Sequence, residues 1–241
     1  MKFSSNDFTA SQPVYKKTIQ NENAITNINA FVKRTYQLFA GSLIAGSVGA
    51  YVGLGFVNNM INPITGSLTF MYWGAVILEF ILLFGLFLAK NKTPLNLVLL
   101  FAFTFLTGFT LAPTLAIFIA KSMGYVIGEA FFLSALAFFG LTIFAMNTKR
   151  DFTTIGKMLF ISLLVLIGAS ILNIFLHLPM LQLAIASAGA IIFSFFILYD
   201  TQNIIRGNVS NEIEAAVALY LDFLNLFISL LQILGFLNNE E

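Results

Sequence analysis

Asp200 and Asp222 are the residues of this chain best placed to do chemistry. They lie in the stretch 197–232, ILYDTQNIIRGNVSNEIEAAVALYLDFLNLFISLLQ, where Asp200 ends one apolar run and Asp222 interrupts another. A charge at membrane depth costs from about 3 to more than about 10 kcal/mol, so an acid there is rare and marks an ion or proton pathway by default. Two carboxyls that meet in a low-dielectric site cannot both ionise cheaply, and such a pair shares one proton. A shared proton can tie two helices together and is the raw material of a switch. Oxygen-only ligands also suit a hard cation such as Ca²⁺. Two carboxylates are too few for tight binding, so any metal role of Asp200 and Asp222 is a weak, transient calcium contact.

Other polar residues surround this pair in the sequence. Asp222, Asn225, Ser229 and Gln232 are spaced 3, 4 and 3, which places them on one stripe of a helix. Such a stripe faces the bundle or a wet path rather than lipid. Glu79 sits near the centre of another apolar run and Lys90 closes that run eleven residues later. Eleven residues of α-helix return to the same face about 16 Å further along. In TFLTGFTLAPT, Thr107 lies among hydroxyls that can satisfy carbonyls freed by Pro113, giving a kink or a water-lined break. The lone histidine, His177, stands in a turn and makes no metal site by itself; no cofactor is expected. Cysteine is absent, which excludes thiolate catalysis and disulfides.

The elements that carry these residues are membrane helices. Of 241 residues, 59% are hydrophobic and only 10% charged, and the mean hydropathy is +0.90, far from the roughly 25% charge of soluble domains. Apolar runs of about twenty residues, long enough for ~30 Å of hydrocarbon, recur near 35–57, 68–89, 94–120, 127–146, 158–176, 181–199 and 215–237. The fold class is therefore an all-α membrane protein, a bundle of seven transmembrane helices in the lipid bilayer. Residues 1–30 are polar, carry no apolar signal segment, and are expected to form a mobile cytoplasmic tail; residues 31–241 form the transmembrane domain. In the first span Gly41, Ala45, Gly49 and Gly53 recur every four residues, a face for close packing within the bundle.

Charge sets the expected orientation. With the N-terminus inside, eleven of the twelve Lys and Arg residues fall on the cytoplasmic side and only Lys121 falls outside. Seven spans then leave the C-terminus outside, whereas a re-entrant seventh helix, interrupted at Asp222 and Asn225, would leave it inside. Either way Lys90, Asp200 and Asp222 belong to the cytoplasmic half. No basic tract supports a nucleic-acid partner.

The chain resembles the Bax inhibitor-1 family from the first span to the last. The resemblance is carried by FTFLTGFTLAP at 103–113, ALAFFGLTIFAMNTKRDF at 135–152, and above all by FFILYDTQNIIRG and ALYLDFLNLF, in that order and about twenty residues apart. It implies a seven-helix bundle with a central C-terminal helix and a pH-sensitive calcium leak, with calcium ions and protons as the species moved. It implies that Asp200 and Asp222 form a di-aspartyl proton sensor, that Glu79 matches the family's glutamate, and that an arginine ending the second helix latches onto the first aspartate. Lys90 stands at that position, keeping the charge but losing the bidentate fork. Eukaryotic relatives are tied to cell-death control and bacterial ones to a membrane-bound protease, and the resemblance favours a bacterial inner membrane.

The competing reading is a membrane-embedded regulator that contacts a membrane-bound protease or another partner, with structural aspartates. Enzyme chemistry is not expected, because neither aspartate stands in a GxGD-type sequence. A transporter would show repeated halves, and no internal repeat is evident.

Overall fold

The computed structural model describes residues 7–238, with side chains from residue 27 onward. The first helix, α1 (Asp7–Leu54), contains the first apolar span, Asn27–Leu54. The span thus starts about eight residues earlier than the hydropathy alone suggests, and the polar segment before it continues the same helix from Asp7. Residues 1–6 of the expected tail lie outside the described residues. After a short α2 (Val57–Met60), a loop closed by an antiparallel bridge between Ile61 and Leu68 leads into α3 (Phe70–Ala89). Then follow α4 (Leu95–Ala120), α5 (Gly124–Asn147), α6 (Gly156–Leu176), α7 (Pro179–Ile205) and α8 (Glu212–Asn238). Together α1 and α3–α8 provide seven helices long and apolar enough to cross a membrane.

The C-terminal helix α8 is the axis. Half of its most apolar window is buried inside the protein, against 6% for α3 and 11% for α6. It packs against α7, α5, α1 and α4, while α3 leans on α4 and α6 on α7. An exposed apolar face is no defect here, because the solvent around α3 and α6 is lipid. No break occurs at Asp222 or Asn225, and α8 is one uninterrupted helix.

The tightest seam joins α1 to α4. A Cβ on Gly49 would collide with the carbonyl of Phe105, and one on Gly108 with the carbonyl of Gly46. Gly53 faces Phe109 and Ala112 in the same way, and Gly41 faces the ring of Phe101. The small-residue repeat is therefore consumed inside the molecule, bringing backbones together as lipid-embedded helices require. Pro113 is buried within α4, and the helix continues through it. Thr93, a natural capping type, makes no side-chain cap; Pro94 occupies the cap position instead.

One departure from the hydropathy pattern bears on the site. Helix α7 does not stop at Tyr199 but runs six residues further, with Thr201, Gln202, Asn203 and Ile204 all buried. Gln202 explains the extension: its Oε1 accepts from Phe152 N at 2.6 Å and its Nε2 donates to Arg150 O at 2.8 Å, tying α7 to the α5–α6 loop. Asp200 is thus a residue inside a regular helix.

Candidate functional site

The regularity of α7 puts Asp200 on the face that also carries Phe193 and Gly189, seven and eleven residues back. That face meets α8, and the carboxyl of Asp200 is a side-chain hydrogen-bonding neighbour of the carboxyl of Asp222. Asp222 is only 5% exposed, and its Oδ2 finds no donor among the described residues. Asp200 is largely buried, less completely than Asp222. Two ionised carboxylates are both acceptors, so contact between them leaves a place that one proton fits. On the flank away from α7, Phe223 packs edge-on against Phe39, Phe131 and Phe138 at centroid distances of 6.1, 5.6 and 5.9 Å. This aromatic cluster holds the helix that carries Asp222.

Lys90 does not reach Asp200. Its Nζ donates to Glu214 Oε1 at 2.6 Å, at the start of α8. The sequence-based pairing fails because α3 leans on α4 and ends beside the foot of α8, one helix away from α7. A second pair, Arg34 Nε to Glu212 Oε2 at 3.1 Å, ties the same foot to α1. Asn211 completes the junction: its Nδ2 donates to Lys90 O and Asn91 Oδ1, and its Oδ1 accepts from the backbone of Ile213 and Glu214, capping α8. These residues border a cleft of about 290 Å³ at the charged end of the bundle.

The same end carries Arg206, whose guanidinium meets Asp151 Oδ1 at 2.7 Å. Hydrogen bonds from the Thr153 hydroxyl and from Arg206, with a further one from Thr153 N, bring the Asp151 carboxyl down to about 2. Ion pairs thus gather Arg34, Lys90, Asp151, Arg206, Glu212 and Glu214 at one end of the molecule.

Beyond the aspartates the polar stripe of α8 follows the α7 seam. Asn225 spends its amide on the backbone, Nδ2 donating to Leu221 O at 2.7 Å. Ser229 lies against Gly189, where a Cβ would stand 2.7 Å from its Oγ. Gln232 Oε1 accepts from Gln182 Nε2 at 2.6 Å, and Gln182 Oε1 accepts from Asn173 Nδ2 at 2.9 Å. Ten residues separate Asp222 from Gln232, about 15 Å of helix. Phe193, Ile197 and Leu226 are buried at the levels between, so the stripe is closed in this conformation.

A second polar network occupies a different face of α8. Thr110 Oγ1 donates to Glu79 Oε2 at 2.9 Å, giving the membrane glutamate a partner on α4. One turn away Thr107 Oγ1 and Tyr220 Oη share a 2.5 Å hydrogen bond, and Tyr220 also donates to Thr104 O. Gly46 makes room for that hydroxyl. Glu79 and Thr107 therefore belong to a network that the sequence left as separate residues. Tyr220 was legible only as a phenol two positions before Asp222, and Glu214 only as an acid on the same side as Lys90. Among the described residues no cluster of three or more acidic, histidine or cysteine side chains could hold a metal ion.

Residues 28–239 match the family described as Inhibitor of apoptosis-promoting Bax1. An uncharacterized protein of Campylobacter jejuni is 51% identical over 228 residues, 94% of this chain and 97% of that one. The modulator of FtsH protease YccA from Escherichia coli is 38% identical over 168 residues, covering 68% of this chain and 77% of its own. Bax inhibitor 1 of Schizosaccharomyces pombe is 35% identical over 219 residues, covering 88% and 78%. The match covers every spanning helix and both aspartate segments, and this integral membrane protein belongs to the Bax inhibitor-1 family.

Proposed function

We propose that this protein is a pH-sensitive calcium leak in a bacterial inner membrane, with Asp200 and Asp222 as its proton sensor. The observation that carries this reading is the contact of the two carboxyls across the α7–α8 seam, one of them buried with an unsatisfied oxygen. One shared proton ties α7 to α8. Removing it sets two negative charges against each other in a dry site, and adding a second replaces the shared bond, so the seam responds to proton activity. The foot of α8 is held by Lys90–Glu214 and Arg34–Glu212, so Lys90 acts as a latch on the central helix itself. Asn225, Ser229 and Gln232 continue the oxygen-bearing stripe along the seam, the route that opening would expose. Thr107, Pro113 and Glu79 belong to α4 and its neighbour α3, which brace α8 from the other side. Calcium passes by weak oxygen contacts to the two carboxylates; no resident cofactor and no enzymatic step are involved. The charged end faces the cytoplasm, with the N-terminus inside and the C-terminus outside.

Calcium flux into vesicles bearing the purified protein, measured across pH, tests this directly. Asp200→Asn and Asp222→Asn are each expected to shift or flatten the pH dependence. If both variants track the wild type at every pH, the proton sensor is refuted; if the wild type carries no calcium at all, the leak itself is.

A second reading is favoured by one observation, the similarity to YccA, a modulator of FtsH protease. On that reading the protein binds a protease of this type and the aspartates brace the bundle. Deleting residues 1–26 while following both flux and co-purification separates the two: loss of the protease with flux intact assigns the tail to regulation.

A further inference from the structure

Helices α1 and α5 each pack on α8, yet they meet one another chiefly through the stacked rings of Phe39 and Phe138, 4.7 Å apart. Between them lies a groove of about 480 Å³, walled by Ala40 and Leu43 on one side and by Ala135, Phe139 and Ile143 on the other. Its floor is Phe223, the residue after Asp222. A second cavity of about 360 Å³ shares Leu43 and Phe223 with the first and continues toward the opposite end. The α5 wall of the first groove covers residues 135–146, about 17 Å of helix. That is close to half of the ~30 Å hydrocarbon thickness, the depth of one leaflet.

The size and chemistry of the groove select its occupant. A helix about 10 Å wide and about 17 Å long fills roughly 1,300 Å³, far more than is available. Water is disfavoured by walls that are apolar apart from Tyr36 and Thr142. A single acyl chain fits both the width and the depth. The mouth at the charged end is cationic. Lys33 stands on the same stripe of α1 as Tyr36, Ala40 and Leu43, spaced 3, 4 and 3, and is exposed with no ion pair among the described residues. Lys149 and Arg150, also exposed, follow directly after α5 ends at Asn147. Basic residues at the entrance of an intramembrane groove are the pattern by which anionic lipid headgroups are held.

We propose that the α1–α5 groove is a binding site for one anionic phospholipid from the leaflet at the charged end, its acyl chain lying on Phe223 and its phosphate between Lys33 and the Lys149–Arg150 pair. Lipid occupancy thereby bears on the helix that carries Asp222. The site is independent of whether calcium passes through the protein.

The test is native mass spectrometry of the intact protein after reconstitution into vesicles of equal phosphatidylglycerol and phosphatidylethanolamine. Wild type is expected to retain one phosphatidylglycerol. Ala40→Trp, which enters the groove from an exposed position, is expected to lower retention at least about tenfold by removing the chain's apolar seat. Ile44→Trp, on the same helix but outside the groove and 67% exposed, is expected to retain lipid as wild type does. Lys33→Gln combined with Lys149→Gln is expected to reduce the preference for phosphatidylglycerol at least about fivefold. Unchanged retention in Ala40→Trp overturns the site, and equal retention of the two lipids overturns its anionic specificity. A photoreactive phospholipid supplies a second readout. Labelling of Phe84 and Val165, which face lipid on α3 and α6, as heavily as the groove walls would mean annular lipid only and refute the proposal.

Discussion

At the scale of single residues, the behaviour of each charge follows from the groups it meets rather than from its position along the chain. Lys90 is the plainest case. Its ammonium is half-exposed and paired with Glu214, so a surface-like interaction is expected, screened by salt and modest in stability. On the proposed leak function, Lys90→Ala is expected to raise resting calcium flux by freeing the foot of α8, and Glu214→Gln is expected to do the same. Unchanged leak in both would reduce the pair to an interfacial anchor. Tyr220 is a buried phenol holding two partners on α4. Removing its hydroxyl in Tyr220→Phe deletes both cross-helix hydrogen bonds while Thr107 Oγ1 still donates to Thr104 O, a loss of about 1 kcal/mol measurable by denaturation in detergent. Asp151 gives a pH signature with a definite sign. Its carboxyl is held below its ordinary value of 3.8, at about 2, so the folded state favours the ionised form. Its contribution is complete above pH 4 and is lost as the pH falls toward 2. Thermal melting of Asp151→Asn is expected to be less sensitive to acid than wild type across that window. An identical acid dependence would mean that the Thr153 and Arg206 contacts do not persist in solution.

At the scale of elements, the contrast between glycines separates packing from propensity. Gly49→Ala and Gly108→Ala drive a methyl into the backbone of the facing helix, and each is expected to cost about 1–3 kcal/mol or to block assembly. Gly74 and Gly140 face open space, and alanine there is expected to be neutral or stabilising by up to about 1 kcal/mol, because helix propensity is then the only term. Comparable losses at all four sites would show that the α1–α4 seam is not the tight contact described. The same reasoning explains why the four-residue repeat of small residues could be read early, whereas Gly46 could not. Its role depends on Tyr220, which is 174 positions away in the chain and adjacent only after α8 is inserted between α1 and α4.

At the scale of the whole molecule, the bundle is a ring of helices around α8, charged at one end, with its polar seam on the α7 side and its lipid-open groove on the α5 side. The proposed orientation, with the N-terminus inside, assigns eleven of the twelve cations to the cytoplasmic side and is open to direct test. Because the native chain has no cysteine, single cysteines report position cleanly. A cysteine placed at Lys149 is expected to react with an impermeant maleimide only from the cytoplasmic face, and one at Glu241 only from the outside. Labelling of both from the same face would contradict an odd number of crossings.

Sequence by itself determined the environment: seven apolar runs long enough to span a membrane, a charge bias from which an orientation is proposed, and two acids at costly positions. Those properties are local, set by transfer free energies that each segment carries wherever it packs. Pairing is not local. Lys90 could satisfy either Asp200 or Glu214 by distance along the chain, and only the lean of α3 on α4 decided for Glu214. Asp200 could meet Asp222 only if α7 stayed helical beyond Tyr199, which rests on Gln202 finding one acceptor and one donor in the α5–α6 loop. The groove over Phe223 belongs to no segment at all, since it is the space left where α1 and α5 both lean on α8 and not on each other.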